Sequence, residues 1–353
     1  MHTITVNASG KYDVIIGNGL LSKAGELVKN AVSTERFAVI TDDNVSPLYF
    51  DVVSNSLKEQ GFEVFHFVFP HGESSKSHET LIKIYGFLAE NHLTRTDCII
   101  ALGGGVTGDM AGYAAATYLR GMDYVQIPTS LLAQVDSSVG GKTAIDIPEG
   151  KNLVGAFKQP RLVICDIDAL STLPRDFLID GMGEVVKYGM IKSAELFEIL
   201  MNHTIDDINE VMEDVICRCV TIKRDVVEAD EFDVGERMLL NFGHTLGHSI
   251  EQYYNYVGIS HGRAVAVGME MITALAAKRG LCDPSLSQRL SDCLERYSLK
   301  ITIEPKPNEL GNACFNDKKR AGSSIRVIIC SDVGCSSPVK MSIDEFTEFI
   351  SQE

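Results

Sequence analysis

The chain has 353 residues, of which 45% are hydrophobic, and its formal net charge at pH 7 is −16. This length suits two domains, and the apolar content is sufficient for a sizeable core. The negative charge argues against a nucleic-acid or anionic-membrane surface, although a local basic pocket is compatible with it. The nine cysteines include no CxxC pair, the N-terminus has no signal-like segment, and no apolar run reaches membrane-spanning length. We therefore expect a cytoplasmic protein with neither a nucleic-acid nor a membrane partner.

Strand and helix patterns alternate through the first half of the chain. Such an order predicts an α/β domain with a largely parallel sheet, in which ligands bind at the carboxyl ends of the strands. Predicted strands cover residues 3–6, 12–16, 37–40, 63–68, 98–102 and 124–127, and predicted helices cover residues 20–29, 48–60 and 77–91.

A glycine-rich turn follows the predicted strand 98–102. Gly103, Gly105 and Gly108 match the GxGxxG pattern, in which backbone N–H groups and a helix N-terminus approach a diphosphate. This pattern usually lies in the first βαβ unit, so its position here indicates a dinucleotide site in a different strand order. Asp42, after an earlier strand, is the candidate that binds the adenosine ribose. The alternative is a tight turn that only packs a helix onto the sheet.

Two lysines lie in glycine-rich loops behind this turn. Lys142 and Lys151 are well suited to bind anions, because an ammonium group attracts phosphate and carboxylate strongly. A solvated loop lysine is the ordinary interpretation of each residue alone. Their proximity in sequence to the predicted phosphate site favours an anion-binding role.

The pattern changes to long helices from about residue 173. Glu184 and Lys187 are three residues apart and share a helix face, which usually indicates a surface salt bridge. Later basic residues are Lys223 on another helix and the loop 316–320 before a predicted strand at residues 325–329.

We predict a single helix over residues 237–251. Arg237, Asn241, His244 and His248 fall on one face of this helix, and the other positions are mostly apolar. Buried polar groups of this kind are costly without partners, so the polar face should line a polar cavity.

Two glycines and a third histidine bear on the role of that face. Gly243 and Gly247 each precede a histidine, and a glycine inside a helix costs about 1 kcal/mol relative to alanine, so a close approach is expected there. An isolated HxxxH pair is more often a hydrogen-bonded core pair than a metal site. His261 adds a third imidazole, and Glu184 is the candidate carboxylate for a zinc site, which needs three protein ligands and an open position.

Seven segments occur in order along the chain and together resemble the 3-dehydroquinate synthase family. The resemblance implies a dehydroquinate synthase-like fold, with an α/β Rossmann-like domain at residues 1–172 and an all-α domain at residues 173–353. It also implies NAD+, a divalent metal (Zn2+ or Co2+) and a homodimer. The segments are GGGVTGDMAGY, QVDSSVGGKTAID, GKNLVGAF, GMGEVVKYGMI, NFGHTLGHSIE, HGRAVAVGM and NDKK.

The reaction that the resemblance implies belongs to the shikimate pathway. A carbon–oxygen lyase of this family converts 3-deoxy-D-arabino-heptulosonate 7-phosphate into 3-dehydroquinate and phosphate. The implied steps are transient oxidation by NAD+, elimination of phosphate, re-reduction, ring opening and an internal aldol cyclisation.

The resemblance also implies a role for each matching residue. Glu184, His244 and His261 would bind the metal, with His248 beside it as a proton-transfer group. Arg120 would reach the substrate phosphate of a neighbouring subunit. The substrate carboxylate and phosphate are assigned to Lys142, Asn152, Lys187, Lys223, Arg237, Asn241 and one lysine of the late run, Lys318 or Lys319. Contacts with NAD+ are assigned to Asp42, Asn44, Gly72, Glu73, Lys76, Gly104, Gly105, Val106, Gly108, Asp109, Thr129, Ser130, Asp136, Lys142, Lys151 and Thr172.

Three other functions compete with this one. An alcohol dehydrogenase of the glycerol-dehydrogenase type shares the architecture but does not need so many anion-binding side chains. A related sugar phosphate cyclase whose substrate has no carboxylate should lack the pair Lys223 and Arg237, and both are present here. A non-catalytic nucleotide-binding protein has no need of a three-ligand metal set.

Overall fold

The computed structural model of the protein describes residues 1–307, 309–310 and 324–351. The chain divides into two compact units, one made of residues 1–174 and 216–232 and the other of residues 175–215 and 233–353. The segment 216–232 lies within the expected second domain, 173–353, but it packs as part of the first unit. This segment contains Lys223, whose ammonium group binds Asp136 of the first unit. None of the helices described is both long enough and apolar enough to cross a membrane.

The first unit is built on a seven-stranded sheet with the order β1-β2-β9-β6-β5-β3-β4. Only β1 and β2 pair in antiparallel fashion, and the other neighbours are parallel. The predicted strands and the α/β class are confirmed. The strands of this unit are His2–Asn7 (β1), Lys11–Gly17 (β2), Arg36–Asp42 (β3), Glu63–Phe69 (β4), Cys98–Gly103 (β5), Asp123–Pro128 (β6), Lys142–Ile147 (β7), Gly150–Phe157 (β8) and Leu162–Asp166 (β9).

Helices cover both faces of this sheet. Phe37 and Val39 of β3 point into a core that also contains side chains of the first two helices, whereas Ala38 and Ile40 point into the core on the opposite face. This alternation follows from the two-residue period of a strand that is buried on both sides. The helices are Ala24–Ala31 (α1), Ser46–Glu59 (α2), His78–Glu90 (α3) and Gly105–Thr117 (α4).

The strand order reverses between β3 and β5. The chain leaves β3 towards β4 on one side, and it then returns past β3 to β5 and continues to β6 on the other side. Ligands of open α/β sheets bind in the crevice at the carboxyl ends of the strands at such a reversal. Asp42 ends β3 and Gly103 ends β5. The predicted cofactor residues therefore lie at the position that the topology favours.

The second unit is mainly helical in the part that the structure describes. Its helix Arg175–Lys192 (α5) is buried from Leu178 to Ile191. The unit also contains one antiparallel hairpin, formed by Ser324–Asp332 (β10) and Cys335–Ser342 (β11). Its described part is therefore mainly helical but not all-α as expected. The other helices are Ala194–Asn202 (α6), Met212–Ala229 (α7, shared by the two units), His244–Tyr253 (α8), His261–Lys278 (α9), Pro284–Arg296 (α10) and Ile343–Ser351 (α11).

The predicted continuous helix over residues 237–251 is wrong. A 3₁₀ helix covers Glu236–Asn241, Gly243 adopts the left-handed conformation with φ +77°, and α8 begins at His244. A side chain at Gly243 would meet the backbone oxygen of Val265 at 2.6 Å. The expected close approach at this glycine is therefore confirmed, and the approaching element is α9.

Candidate functional site

The centre of the second unit is a buried ion pair on α5. The side chains of Glu184 and Lys187 are each 1% exposed, and the Lys187 ammonium group donates a hydrogen bond to Glu184 Oε2. Burial would raise the pKa of Glu184, but Lys187 and the nearby His244 hold it well below its usual value. The carboxylate is therefore ionised, as a metal ligand must be.

Two histidines face the second oxygen of this carboxylate. Glu184 Oε1 lies 3.3 Å from Nε2 of His244 and 3.3 Å from Nε2 of His261. This oxygen is buried, yet it has no hydrogen-bond partner among the described residues. Such an atom is expensive to bury unless a ligand satisfies it.

The protonation of His244 favours metal binding. Its Nδ1 lies 3.1 Å from the main-chain oxygen of Phe242, which can only accept a hydrogen bond. The ring proton therefore resides on Nδ1, and the lone pair of Nε2 points towards Glu184. Burial lowers the pKa of His244, and Glu184 offsets this effect only in part, so the ring is neutral near pH 7.

The donor spacing suits a small divalent ion. Ligand atoms about 2.0–2.1 Å from a tetrahedral zinc ion are separated by about 3.3–3.4 Å. The candidate ligand atoms of Glu184, His244 and His261 all lie within 4.8 Å of one another, and two of the separations are 3.3 Å. One carboxylate and two imidazoles with an open fourth position form the donor set of a catalytic zinc site. The residues thus fit a divalent metal.

Close packing of α5 on α9 brings these ligands together. A side chain at Gly183 would lie 2.6 Å from the backbone oxygen of Gly262, and a side chain at Gly262 would overlap the backbone oxygen of Asp180. Asp180 Oδ1 also accepts a hydrogen bond of 2.6 Å from the N–H group of Gly262, at the start of α9. Glu184 is one turn beyond Asp180, so the same contact that caps α9 fixes Glu184 opposite His261.

Gly262→Ala should therefore destabilise the protein and weaken metal binding. Overpacking costs about 1–3 kcal/mol, and the upper end applies here because the opposing atom is backbone. Gly86→Ala is the matched control, since a methyl group there meets no atom within 4 Å in α3 and should stabilise the protein by about 0.5–1 kcal/mol. Calorimetry and measurement of bound Co2+ test both variants, and a Gly262→Ala protein as stable as the parent would contradict the packing argument.

The remaining predicted residues of the second unit have mixed environments. Arg237 is buried on the 3₁₀ helix, and Asn241, at the end of that helix, is exposed. His248 is exposed on α8, and the centre of its ring is 5.4 Å from that of His244. The predicted proton-transfer group is thus beside a candidate ligand. Lys318 and Lys319 lie outside the described residues.

The glycine turn of the first unit lies where β5 meets α4. Gly104 precedes α4, whose first N–H groups receive no side-chain cap from that position. A side chain at Gly104 would lie 3.4 Å from Ser130 Oγ, and the N–H group of Thr129 donates a hydrogen bond of 3.0 Å to the oxygen of Gly103. Three predicted cofactor residues, Gly104, Thr129 and Ser130, are therefore neighbours. Gly105 and the half-buried Val106 begin the helix beside them.

Gly108 is explained by packing. A side chain there would lie 2.7 Å from Gln126 Oε1 of β6, so α4 approaches the sheet closely at this glycine. The contact explains why a glycine is needed at this position, and the assignment of Gly108 to NAD+ stays a prediction.

Asp42 connects the ends of β3 and β5. Its Oδ1 accepts hydrogen bonds of 2.9 Å from the N–H groups of Asn44 and Val45, and its Oδ2 accepts one of 3.2 Å from Thr107. Thr107 was not among the predicted site residues. Asn44, two residues after Asp42, is exposed. Its polar side chain is therefore accessible at the crevice where we predict that the adenosine ribose binds.

A charged network lies between α3, α4 and the β7–β8 hairpin. Lys76 Nζ is 2.6 Å from Asp109 Oδ2, and it also donates to Asn152 Oδ1. Asn152 has a left-handed backbone with φ +58°, and its N–H group donates a hydrogen bond of 2.7 Å to Asp146. Lys151 Nζ lies 3.8 Å from Glu73 Oε1. The structure thus unites five predicted residues and adds Asp146, which the sequence did not single out.

Other predicted residues of the first unit lie in separate environments. Lys223 is 5% exposed and binds Asp136 through both its carboxylate and its main-chain oxygen. Thr172 bonds to the hydroxyl group of Tyr49. Three more are placed at a strand end or in turns: Lys142 is exposed at the start of β7, Gly72 has φ +94°, and Arg120 is exposed with φ +67°.

Comparison with known protein families shows which family the chain belongs to. Residues 66–180 match the family described as 3-dehydroquinate synthase N-terminal, and residues 181–320 match the one described as 3-dehydroquinate synthase C-terminal. The chain belongs to the 3-dehydroquinate synthase family. The resemblance seen in the sequence is therefore confirmed.

One relative and two solved structures illustrate the similarity. The 3-dehydroquinate synthase of Streptococcus thermophilus (strain ATCC BAA-491 / LMD-9) is 44% identical over 342 residues, which is 96% of each chain. The 2-epi-5-epi-valiolone synthase from Streptomyces hygroscopicus subsp. jinggangensis 5008, with NAD+ and Zn2+ bound, is 26% identical with a TM-score of 0.88, covering 98% of this chain and 97% of that one.

The second structure supports the fold alone. A 2-deoxy-scyllo-inosose synthase complexed with carbaglucose-6-phosphate, NAD+ and Co2+ is 24% identical with a TM-score of 0.87, and 99% of each chain is covered. The predicted dehydroquinate synthase-like fold is thus confirmed.

Proposed function

We propose that this protein is an enzyme that converts 3-deoxy-D-arabino-heptulosonate 7-phosphate into 3-dehydroquinate and phosphate, as a lyase of the shikimate pathway. The observation that carries the proposal is the 44% identity to a 3-dehydroquinate synthase over 96% of both chains. The buried donor set of Glu184, His244 and His261 supports it, because related synthases have been solved with Zn2+ or Co2+ bound.

The proposed cofactors are NAD+ and Zn2+ or Co2+, which are bound in the related structures. Glu184, His244 and His261 would hold the metal, and the residues around the β3 and β5 ends would hold NAD+. When bound, NAD+ supplies reversible hydride transfer and the metal supplies a Lewis acid for a substrate hydroxyl group.

The cationic and amide side chains would position a substrate that carries a carboxylate and a phosphate. Ammonium and guanidinium groups form short charge-assisted hydrogen bonds with such anions, and fixed orientation removes much of the entropic cost of reaction. Burial of Lys187, Lys223 and Arg237 limits competition from water. We assign this role to Lys142, Asn152, Lys187, Lys223, Arg237, Asn241 and one of the two lysines Lys318 and Lys319.

Two residues have distinct proposed roles in the chemistry. Lys187 holds Glu184 through one carboxylate oxygen, so the other oxygen keeps its orientation towards the two histidines. His248 is exposed beside His244, and an imidazole is the side chain that most readily gains and loses a proton near neutral pH. We propose that His248 exchanges a proton with the substrate.

The decisive experiment follows phosphate release and nicotinamide absorbance together. With NAD+ present at about the enzyme concentration, a cyclase returns the hydride to the same substrate, so NAD+ is required but not consumed. We expect many molecules of phosphate per NAD+ and no steady rise in NADH. Omission of NAD+ from stripped enzyme is the control that should abolish turnover.

A dehydrogenase of the glycerol-dehydrogenase type gives a different result. Its NADH accumulates in a one-to-one ratio with product until the cofactor is exhausted. Stoichiometric NADH formation, or turnover that stops after one equivalent, would therefore refute the proposed function. Equal turnover with an analogue that lacks the carboxylate would point instead to a related sugar phosphate cyclase.

We propose further that the enzyme is a cytoplasmic homodimer in which Arg120 binds the phosphate in the neighbouring subunit. Leu119 and Arg120 both have positive φ values, 49° and 67°, and the Arg120 side chain is exposed. Left-handed backbone at residues other than glycine is strained and is often retained for function. The buried thiols of Cys98 and Cys165 suit a reducing compartment.

A further inference from the structure

The imidazole of His261 has a different carboxylate on each side. Its Nε2 lies 3.3 Å from Glu184 Oε1, and its Nδ1 lies 3.4 Å from Glu251 Oε2. Glu251 lies on α8 and is not one of the predicted ligands. Its side chain is only 6% exposed. Burying an ionised carboxylate is costly unless it is paired, and the His261 ring is a partner of Glu251.

The two candidate histidine ligands are supported unequally. His244 Nδ1 faces a neutral main-chain oxygen, that of Phe242. His261 Nδ1 faces an ionisable carboxylate, and a carboxylate that accepts the ring N–H makes the opposite nitrogen a stronger metal ligand. His261 is also the more accessible ring, with 31% of its side chain exposed against 13% for His244. An exposed ring has more freedom to turn away from the metal.

We propose that Glu251 is a positioning residue of the metal centre: its carboxylate holds the Nδ1–H group of His261 and thereby aims Nε2 at the metal. The inference rests on the proposed metal centre and adds a residue to it. His261 is held at two points, since Asp180 binds the N–H group of the next residue, Gly262. Asp180 fixes the backbone at the start of α9, and Glu251 fixes the ring.

A second cluster of candidate ligands, which shares only His261 with the first, makes a contrasting prediction. Ligand atoms of His248, Glu251 and His261 also lie within 4.8 Å of one another. A second ion bound there would require His261 to lose its Nδ1 proton and to bind metal through both nitrogens. The contact of Nδ1 with Glu251 favours the positioning role, because a carboxylate stabilises the N–H form.

The test is Co2+ binding to the full chain in the parent, Glu251→Gln and Glu251→Asp. Glutamine removes the charge, and aspartate withdraws the carboxylate by one methylene group. We expect one ion per chain in all three proteins, an altered visible spectrum of bound Co2+ in the variants, and about 10–100-fold weaker binding in competition with a chelator. The thermal stability of the metal-free proteins shows whether each variant is folded.

Glu270→Gln is the matched control for a lost carboxylate. Glu270 lies on α9 like His261, but it accepts a hydrogen bond of 2.7 Å from Ser291, away from the ligands. Its Co2+ affinity should equal that of the parent.

Three outcomes would overturn the inference in different ways. Parent-like affinity and spectrum in either folded Glu251 variant would exclude the positioning role alone. Two ions in the parent and one in the variants would make Glu251 a direct ligand. A parent that binds no Co2+ would remove the metal centre itself, and the proposed function would fail with it.

Discussion

Replacing His244 with alanine should abolish metal binding and activity together. The substitution leaves Glu184 and His261, and a catalytic zinc site normally needs three protein ligands. A Lewis acid contributes several kcal/mol of transition-state stabilisation, and each 1.36 kcal/mol corresponds to tenfold, so activity should fall on the order of a thousandfold or more. Measurement of bound metal and of phosphate release tests both parts of this expectation.

His203→Ala is the matched control for the loss of an imidazole. His203 belongs to the same unit, and its Nδ1 bonds to the main-chain oxygen of Ile199 at 2.9 Å, remote from the three ligands in sequence. This variant should retain metal and activity. Full activity in His244→Ala protein from which metal has been stripped would exclude His244 from the centre.

The environment of His244 also shows what sequence patterns can predict. Residue types and order along the chain were sufficient to select Glu184 and the histidines as candidates, because few side chains bind zinc. They were not sufficient to predict the break before His244. Gly243 is left-handed because α9 packs against it, and Val265 and Met269 of that helix are more than twenty residues away in the chain.

The residues that support the candidate site residues could not be predicted either, because their roles also depend on packing between separate elements. Asp180 and Glu251 are ordinary acidic residues in helical segments, and their partners lie 82 and 10 residues away. Asp146 likewise becomes significant only because its carboxylate accepts the N–H group of Asn152 in a left-handed conformation. The buried strand Cys98–Gly103 was predictable because a continuous apolar run between turns is a local signal. Pairing between distant polar groups has no local signal.

Lys76→Met should strongly destabilise the first unit. Lys76 is 4% exposed, and the substitution leaves Asp109 without the ammonium group that now lies 2.6 Å from its carboxylate. Removal of one partner from a buried ion pair costs about 3–5 kcal/mol, and the lower end applies because Asp109 is 19% exposed. Calorimetry is the suitable measurement, since the chain has no tryptophan.

The loss of stability caused by Lys76→Met should grow as the pH rises. Burial raises the pKa of Asp109 above its usual value, and Lys76 offsets only part of that effect. Without Lys76 the folded-state pKa of Asp109 should rise further. A raised folded-state pKa favours the folded protein below the unfolded pKa, and this advantage is lost as the pH rises through the folded pKa. The deficit of Lys76→Met relative to the parent should therefore be smaller at pH 5 than at pH 8.

Asp109→Asn in the Lys76→Met background separates charge from packing. If the deficit arises from an unpaired buried carboxylate, the neutral amide should recover part of the stability at pH 8 and little at pH 5. Thr80→Val is a useful reference, because Thr80 is a buried residue of α3 near Lys76 in sequence with no charge to lose. A deficit that is independent of pH, or one that Asp109→Asn leaves unchanged, would mean that the contribution of Lys76 comes from its packing and from its hydrogen bond to Asn152 rather than from its charge.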